Sequence, residues 1–312
     1  MRTCLHVKLF DLLNPTNMKI NDLLSKSAVL VYSREQGEQP MTLPSDYHLH
    51  THNSGDSDAP MEAMIESAIN RGLSEICFTD HMDMDYPITE DTPKDYFLLD
   101  TPSYKKELYK FKEIYKDKIT IKFGVEIGMQ EHIASQNTGY AHSESFDFVI
   151  ASMHLVDGQD PYYPEFWEGR DVKEVFRHYF ELTLDNLRLF DDYCVLGHLD
   201  YLARYAPKGN NPYSYSAYSD IIDAILIHLI NNDKGLDFNT SRLFRSGDPT
   251  NPSPDVLKRY KELGGRIITF GSDAHSPEGI AGAFEKASII AKKCGFDEYC
   301  TFENREPIFH KL

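Results

Sequence analysis

The sequence predicts an α/β protein built as a closed barrel of parallel strands. Seven short β-rich segments recur along the chain, and segments with helical period or length separate most of them. Such alternation implies parallel strands joined by helical crossovers. A barrel is favoured over an open doubly wound sheet because no GxGxxG or P-loop pattern follows the first strand.

The predicted elements follow from composition and from caps. The strands are expected at 46–50, 75–79, 119–126, 147–153, 193–197, 236–239 and 266–271. The helices are expected at 61–71, 103–115, 172–190, 217–232, 254–263 and 280–293. Gly72 directly follows the first helix, as glycine does at many helix ends, and Pro254 stands at a helix start.

Two segments do not belong to this repeat. Residues 1–43 are expected to form an N-terminal appendage, disordered or weakly helical, because they show a helical pattern at 20–32 and a polar linker at 33–40. The remaining residues, 44–312, form the main domain. Residues 155–171 are too long and irregular for a simple connector, so we expect an active-site loop there.

Composition and charge exclude several classes of protein. The 312 residues are 41% hydrophobic and 26% charged, as in an ordinary globular chain. With 32 basic and 49 acidic residues the net charge is −17, so we expect neither a nucleic acid nor a membrane as partner. An anionic substrate would then need a local positive site. The sequence leaves the oligomeric state open.

Apolar runs and cysteines predict a cytoplasmic location. No apolar run approaches the roughly 18 residues of a membrane span, and Lys8 and Asp11 interrupt the only stretch placed to be a signal core. The five cysteines are odd in number and form no CxxC pair. We therefore expect reduced thiols, mostly in the core.

Polar side chains follow the predicted strands at the end where barrel enzymes carry their chemistry. They are His48 and His50, Asp80 and His81, Glu126, His154, His198, and Asp273 with His275. Alternation along a strand puts the two members of each HxH or DxH pair on one face. Imidazole and carboxylate ligands without thiolate suit Zn²⁺, Mn²⁺ or Fe.

The other histidines show no such placement. His52 continues the row of His48 and His50 but lies beyond the strand end, so it either supports a ligand or points away. The remaining ones lie in the tail, in loops or on helices and are predicted to be ordinary surface or packing residues: His6, His132, His142, His178, His228 and His310.

The ordered set resembles the PHP (polymerase and histidinol phosphatase) superfamily. The order is HxH, an acidic residue six positions further on, DH, a lone Glu, two lone His and a terminal DxH. The resemblance covers roughly residues 44–300. Segments 153–158, 197–205 and 237–241 resemble more narrowly the stand-alone histidinol-phosphate phosphatase branch.

The resemblance implies a distorted (β/α)7, TIM-like barrel with three divalent metal ions, Zn, Mn or Fe. By this resemblance the first ion would be held by His48, His50, Glu126 and Asp273, the second by Glu126, His154 and His198, and the third by Asp56, His81 and His275. Asp80, which precedes His81, is expected to orient a ligand. Three such ions and three carboxylates leave about +3, an anion trap in an acidic protein.

The resemblance further implies hydrolysis of L-histidinol phosphate to L-histidinol and phosphate in L-histidine biosynthesis, by attack of a metal-activated hydroxide. Arg204 and Arg245 are expected to contact the phosphate, with surface salt bridges as the alternative. Asp200 would either protonate the leaving alkoxide or orient a ligand, and the sequence does not separate these roles.

Other functions stay open at this point. A related phosphoesterase would act on nucleotides or phosphotyrosine. An amidohydrolase also begins with HxH, but the strand that often supplies its modified Lys ends here in Glu126. A non-enzymatic binding module would normally have lost ligands.

The loop at 155–171 is expected to hold the amine and imidazole end of the substrate. It offers acidic and aromatic groups, which could instead only pack the loop onto neighbouring helices: Asp157, Asp160, Tyr162, Tyr163, Glu165, Phe166 and Trp167.

Overall fold

The computed structural model describes residues 43–207, 209 and 212–312. Its main feature is a parallel sheet with the order β1-β2-β4-β5-β6-β7-β8, in which β3 also pairs with β4. The strands are β1 (Ser45–Leu49), β2 (Glu75–Phe78), β3 (His81–Met82), β4 (Thr120–Gly128), β5 (Phe148–Ser152), β6 (Val195–Leu196), β7 (Gly235–Asn239) and β8 (Ile268–Gly271). The seven predicted strands and the barrel are confirmed.

The sheet closes on itself just beyond the carboxyl ends of β1 and β8. Leu49 and Ala274 form a parallel bridge. The backbone N–H of Asp273 donates to the carbonyl of His48 at 2.8 Å, and that of His50 donates to Ala274 at 3.0 Å. The closure therefore joins the HxH and DxH segments directly.

Helices surround the barrel where the sequence predicts them. The helices are Met61–Asn70, Thr101–Tyr115, Ala134–Ala141, Pro164–Trp167, Val172–Leu189, Ser219–Asn231, Ser241–Arg245, Pro254–Glu262 and Phe284–Lys293. The last one begins at 284 and not at 280, because Ala281 and Ala283 take left-handed φ values of 51° and 62°. The helix at 134–141 escaped prediction because only three of its residues are buried, too few for a clear period.

A C-terminal hairpin, which the sequence did not predict, covers the amino end of the barrel. It consists of antiparallel β9 (Glu298–Glu303) and β10 (Glu306–Lys311). Phe302 packs against Phe148 at 4.9 Å between ring centroids, and its N–H donates to the Tyr47 hydroxyl at 3.0 Å. Most of β10 is exposed or half-buried, which hides the apolar alternation that would mark a strand.

The described residues bear on only part of what the sequence predicts about the N-terminal segment, membrane spans and cysteines. The predicted appendage at 1–43 lies outside the described residues except for residue 43. Among the described residues no helix is long and apolar enough to cross a membrane. The four described cysteines carry free thiols. Cys77, Cys194 and Cys300 are buried, and Cys294 is half-buried.

The barrel interior is tight where it supports the polar strand ends. A methyl group added at Gly271, the last residue of β8, would overlap with Oδ1 of Asp237 and Cβ of His48. Glycine is therefore required there by close approach and not by its backbone angle.

Replacing Gly271 by alanine should displace His48 and lower the free energy of unfolding by about 1–3 kcal/mol, because overpacking forces a shift of a well-packed interior. Chemical denaturation measures this. Gly139→Ala is the matched control, since a methyl at Gly139 meets nothing within 4 Å and alanine favours a helix. Equal stability of the two variants would contradict the tight fit.

Candidate metal centre

All nine predicted metal ligands converge at the carboxyl end of the barrel. His48 and His50 come from the end of β1, Glu126 from β4, and the others from the segments that follow strands, with His81 in the short β3. His48, His50 and Glu126 have no exposed surface. Four sets of three ligand atoms each lie within 4.8 Å of one another, so the cluster can bind metal.

Glu126 lies at the centre of the cluster. Its Oε2 is 3.1 Å from His48 Nε2, 3.5 Å from His50 Nε2 and 3.1 Å from His81 Nδ1. Its Oε1 is 2.9 Å from His198 Nε2 and 3.4 Å from His154 Nε2. One carboxylate thus faces five imidazoles, as a bridging ligand would.

Asp56 contacts two of the predicted ligands, His81 and His275. Its Oδ2 is 3.0 Å from His275 Nε2 and 3.6 Å from His81 Nε2. The rings of His81 and His275 both stack on His50, at 4.3 and 4.2 Å between centroids. His81 therefore lies between the Glu126 group and the Asp56 group, with one ring nitrogen facing each.

Two aspartates outside the predicted set each determine which ring nitrogen of one ligand imidazole carries the proton. His48 Nδ1 is 2.8 Å from Asp237 Oδ2, and His154 Nδ1 is 2.7 Å from Asp83 Oδ1. A carboxylate only accepts, so each imidazole carries its proton on Nδ1 in these contacts. Nε2 of both rings then faces Glu126 and is the nitrogen available to a metal ion.

In His50 and His275, as in His48 and His154, Nδ1 donates to an acceptor. Ser54 Oγ donates to Asp80 at 2.9 Å and lies 3.1 Å from His50 Nδ1, so the His50 N–H donates to Ser54. His275 Nδ1 donates to the carbonyl of Asp273 at 3.0 Å. Asp80 therefore orients His50 through Ser54, although the sequence suggested only that it orients a ligand.

The unpaired nitrogens of the cluster fit metal ions. His50 Nε2 and His81 Nδ1, which both face Glu126, are buried without a hydrogen bond, which is costly unless another partner binds. Burial and the neighbouring His275 and His81 hold the pKa of His50 well below its usual range, which keeps it neutral. Burial alone would raise the pKa of Glu126, but His48, His81 and His154 outweigh it and hold that pKa well below its usual range.

A cavity of about 250 Å³ opens above the cluster. Its walls combine cluster residues with Asp83, two arginines and four aromatic side chains, namely Arg204, Arg245, Tyr86, Phe97, Tyr201 and Tyr205. Arg204 Nη1 donates to Asp273 Oδ2 at 3.0 Å, and Arg245 Nη2 is 3.5 Å from the Asp273 carbonyl. Both predicted phosphate contacts therefore lie beside the metal cluster.

Asp200 does not join the cavity. It is 1% exposed and is not among the lining residues. Its Oδ2 accepts from the Tyr213 hydroxyl at 2.6 Å and from the Ser253 N–H at 2.8 Å, and its Oδ1 accepts from Asn251. The position two residues after His198 suggested a role in proton transfer, but the intervening turn directs this carboxylate into the protein.

Asp83 and Asp237 are the important residues that sequence reasoning missed. Asp83 stands two residues after His81, and Asp237 lies in β7, so alternation along a strand was the available signal. Their two negative charges reduce the predicted surplus of about +3, and Arg204 and Arg245 restore two positive charges. The positive site thus depends on the arginines as well as on metal ions.

The other histidines lie away from the cluster. His52 is 46% exposed and faces Glu107 at 3.3 Å, so of its two alternatives it points away. The described histidines that were predicted to be ordinary make local contacts elsewhere: His132, His142, His178, His228 and His310. His6 lies outside the described residues.

The loop at 155–171 borders the cavity through two contacts. Asp160 accepts from the Tyr86 hydroxyl at 2.6 Å, and the Tyr162 ring contacts Tyr205 at 5.7 Å between centroids. Glu165 is exposed, and Trp167 is buried with its N–H donated to Pro161. Part of the loop therefore faces the site, and part packs it in place.

The family follows from a profile match. The family described as PHP domain matches residues 46–241, a range that includes every proposed ligand except Asp273 and His275. The chain belongs to the PHP domain family. A histidinol-phosphatase of Lactococcus lactis subsp. lactis (strain IL1403) is 36% identical over 258 residues, which are 82% of this chain and 93% of the relative.

Two further comparisons place the chain among similar proteins. A probable histidinol-phosphatase of Clostridium acetobutylicum is 36% identical and covers 85% of this chain and 95% of the relative. The fold matches a crystal structure of histidinol phosphate phosphatase from Lactococcus lactis, complexed with Zn, L-histidinol and phosphate, with a TM-score of 0.77. That match covers 85% of this chain and 98% of the other.

Replacing Glu126 by glutamine should remove bound metal and activity together, because an amide cannot supply the anion that faces five imidazoles. Elemental analysis of the purified variant and a rate assay check this. Glu165→Gln, an exposed position, is the control and should keep its metal. Full metal content with unchanged turnover in Glu126→Gln would contradict the central position of Glu126.

Proposed function

We propose that this protein is a metal-dependent histidinol-phosphatase, which hydrolyses L-histidinol phosphate to L-histidinol and phosphate in L-histidine biosynthesis. One observation carries the proposal: all nine expected ligands meet beside two arginines at a cavity. The 36% identity to a protein crystallised with zinc, L-histidinol and phosphate supports the choice of substrate.

We assign three divalent ions, zinc being the first candidate, to the three ligand groups. His48, His50, Glu126 and Asp273 would hold one ion, Glu126, His154 and His198 a second, and Asp56, His81 and His275 the third. Such ions, when bound, neutralise charge on phosphoryl oxygens and make a water molecule nucleophilic near neutral pH. The stacking of His50 on His81 and His275 supports close spacing of the first and third groups.

Arg204 supplies the fixed positive charge for the phosphate. Three of its nitrogens donate to Asn251, Asp273 and Asn239 at 3.0–3.2 Å. Asp273 opposes the effect of burial and raises the pKa of Arg204, so the guanidinium stays charged. Its planar fork can offer its remaining N–H groups to two phosphate oxygens.

The aromatic end of the cavity would receive the amine and imidazole of the substrate. Tyr86 donates its hydroxyl proton to Asp160, so its oxygen lone pairs stay available as acceptors. The Tyr86 ring also contacts Phe97 at 4.5 Å between centroids. A cationic group of the substrate would meet the Tyr86 oxygen there, and the hydrogen bond to the Asp160 carboxylate makes that oxygen more negative.

We assign the activity to residues 44–312, because every proposed ligand lies in that range. We further propose a cytoplasmic location. The free thiols of the four described cysteines support it, since a reducing compartment keeps thiols unpaired. Asp200 is not assigned the role of general acid, because its carboxylate is turned away from the cavity.

A phosphate-release assay on metal-loaded protein tests the function. We expect the highest kcat/KM for histidinol phosphate, with nucleoside monophosphates and phosphotyrosine at least about 100-fold lower. Neither alternative places both an amine and an imidazole at the right distance from the phosphate, and each unmade hydrogen bond or ion pair costs on the order of tenfold. Chelation should abolish the activity, and added zinc should restore it. A preference for phosphotyrosine or for a nucleotide would identify a different PHP phosphoesterase.

Tyr86→Phe should raise KM for histidinol phosphate about tenfold and change KM for a small aryl phosphate little, because only the former has an amine for Tyr86 to bind. Asp160→Asn should act in the same direction. Glu165→Gln is the matched loop control, since Glu165 is exposed and does not line the cavity. Equal losses on both substrates would mean that Tyr86 supports the metal cluster instead.

A further inference from the structure

A buried amide links Asp200 to Arg204. Asn251 has no exposed surface. Its Nδ2 donates to both the carbonyl and the carboxylate of Asp200. Its Oδ1 accepts from Arg204 Nε at 3.2 Å.

The two contacts to Asp200 determine which way the amide faces. Both Asp200 atoms are acceptors, so the NH₂ group of Asn251 must point toward Asp200. The carbonyl oxygen must then point toward Arg204, whose guanidinium has donors and no acceptor. A reversed amide would place two donors together at Arg204 and two acceptors together at Asp200.

Asp200 is itself held rigidly. The Tyr213 hydroxyl and the Ser253 N–H occupy its Oδ2 at 2.6 and 2.8 Å. Backbone hydrogen bonds of 2.8 and 3.0 Å between Asn239 and Asn251 hold the main chain from which the Asn251 side chain extends. Hydrogen bonds therefore hold each side chain in the series from Asp200 through Asn251 to Arg204.

Arg204 is bound by three acceptors on three different nitrogens. Asn251 takes Nε, Asp273 takes Nη1, and Asn239 takes Nη2. A guanidinium has five N–H groups, so one on Nη1 and one on Nη2 remain. Arg204 lines the cavity, where its charged guanidinium can donate to phosphate oxygens.

We propose that Asp200 and Asn251 are positioning residues, which hold the Arg204 guanidinium in the orientation that binds phosphate. The proposal rests on the proposed function in one respect, that Arg204 contacts the phosphate group. Asp200 then acts on the reaction through Asn251 and Arg204 and transfers no proton. Loss of this support weakens phosphate binding and leaves the metal ligands in place.

The test is phosphate affinity in the metal-loaded protein, measured by calorimetry with inorganic phosphate. Asn251→Ala should weaken phosphate binding about tenfold and raise KM for the substrate similarly, while metal content stays unchanged. In an Arg204→Lys background the same substitution should weaken binding less than about twofold, because lysine lacks the Nε donor.

Two further variants keep the test decisive. Thr250→Val is the matched control, because Thr250 is buried in the same segment but donates only to the Pro252 carbonyl. It should bind phosphate like the parent. Asp200→Asn replaces one carboxylate oxygen by an NH₂ group, which then faces a donor of Asn251 or of Ser253. This variant should weaken phosphate binding even if Asn251→Ala fails to fold.

Unchanged phosphate affinity in both Asn251→Ala and Asp200→Asn would overturn the proposal. So would an equal loss in the Arg204→Lys background, since the effect would then bypass Arg204. Failure of the proposed function looks different: the parent protein would bind inorganic phosphate but would not hydrolyse histidinol phosphate. The coupling between Asn251 and Arg204 would still decide the positioning role in that case.

Discussion

The buried carboxylate of Glu126 is the constraint on which the rest of the site depends. An isolated carboxylate without exposed surface would be strongly destabilising. Five imidazoles and the Ser152 hydroxyl, which donates to Oε1 at 2.6 Å, compensate it here. The strand ends must therefore converge on one point, and a barrel provides that convergence.

The two ends of the barrel are built for different tasks. At the amino end, Tyr47, Phe148 and Phe302 pack into an apolar cluster under the C-terminal hairpin. At the carboxyl end, close approaches at Gly271 and at the bridge between Leu49 and Ala274 leave room only for the ligands and their acceptors. Stability is concentrated away from the reactive end, as in other parallel barrels.

The two carboxylate oxygens of Asp273 contact two different parts of the site. Asp273 faces His48, His50 and His275 with Oδ1 and Arg204 and Asn239 with Oδ2. It therefore joins the proposed metal ligands to Arg204, which we propose binds the phosphate. Its left-handed φ of 52° is uncommon outside glycine, and strain of this kind is often found at functional sites.

The sequence was sufficient for the barrel and for the nine residues that converge at its carboxyl end, because both leave local signals. Apolar runs ending in His, Asp or Glu mark strand ends, and the ordered set from His48 to His275 matches a family. Alternation along a strand was a signal for Asp83 and Asp237, but the imidazoles that they accept from and the direction of Asp200 depend on contacts between distant strands and turns. The helix at 134–141 and strand β10 of the final hairpin escaped because too few of their residues are buried.

Anomalous X-ray diffraction from crystals of the zinc-loaded protein, recorded on both sides of the zinc edge, would locate the bound ions. We expect zinc peaks within the cluster, with Glu126 ligating two ions and with His48 and His154 bound through Nε2. Peaks only at surface histidines, or a cluster in which Glu126 contacts no ion, would contradict this expectation.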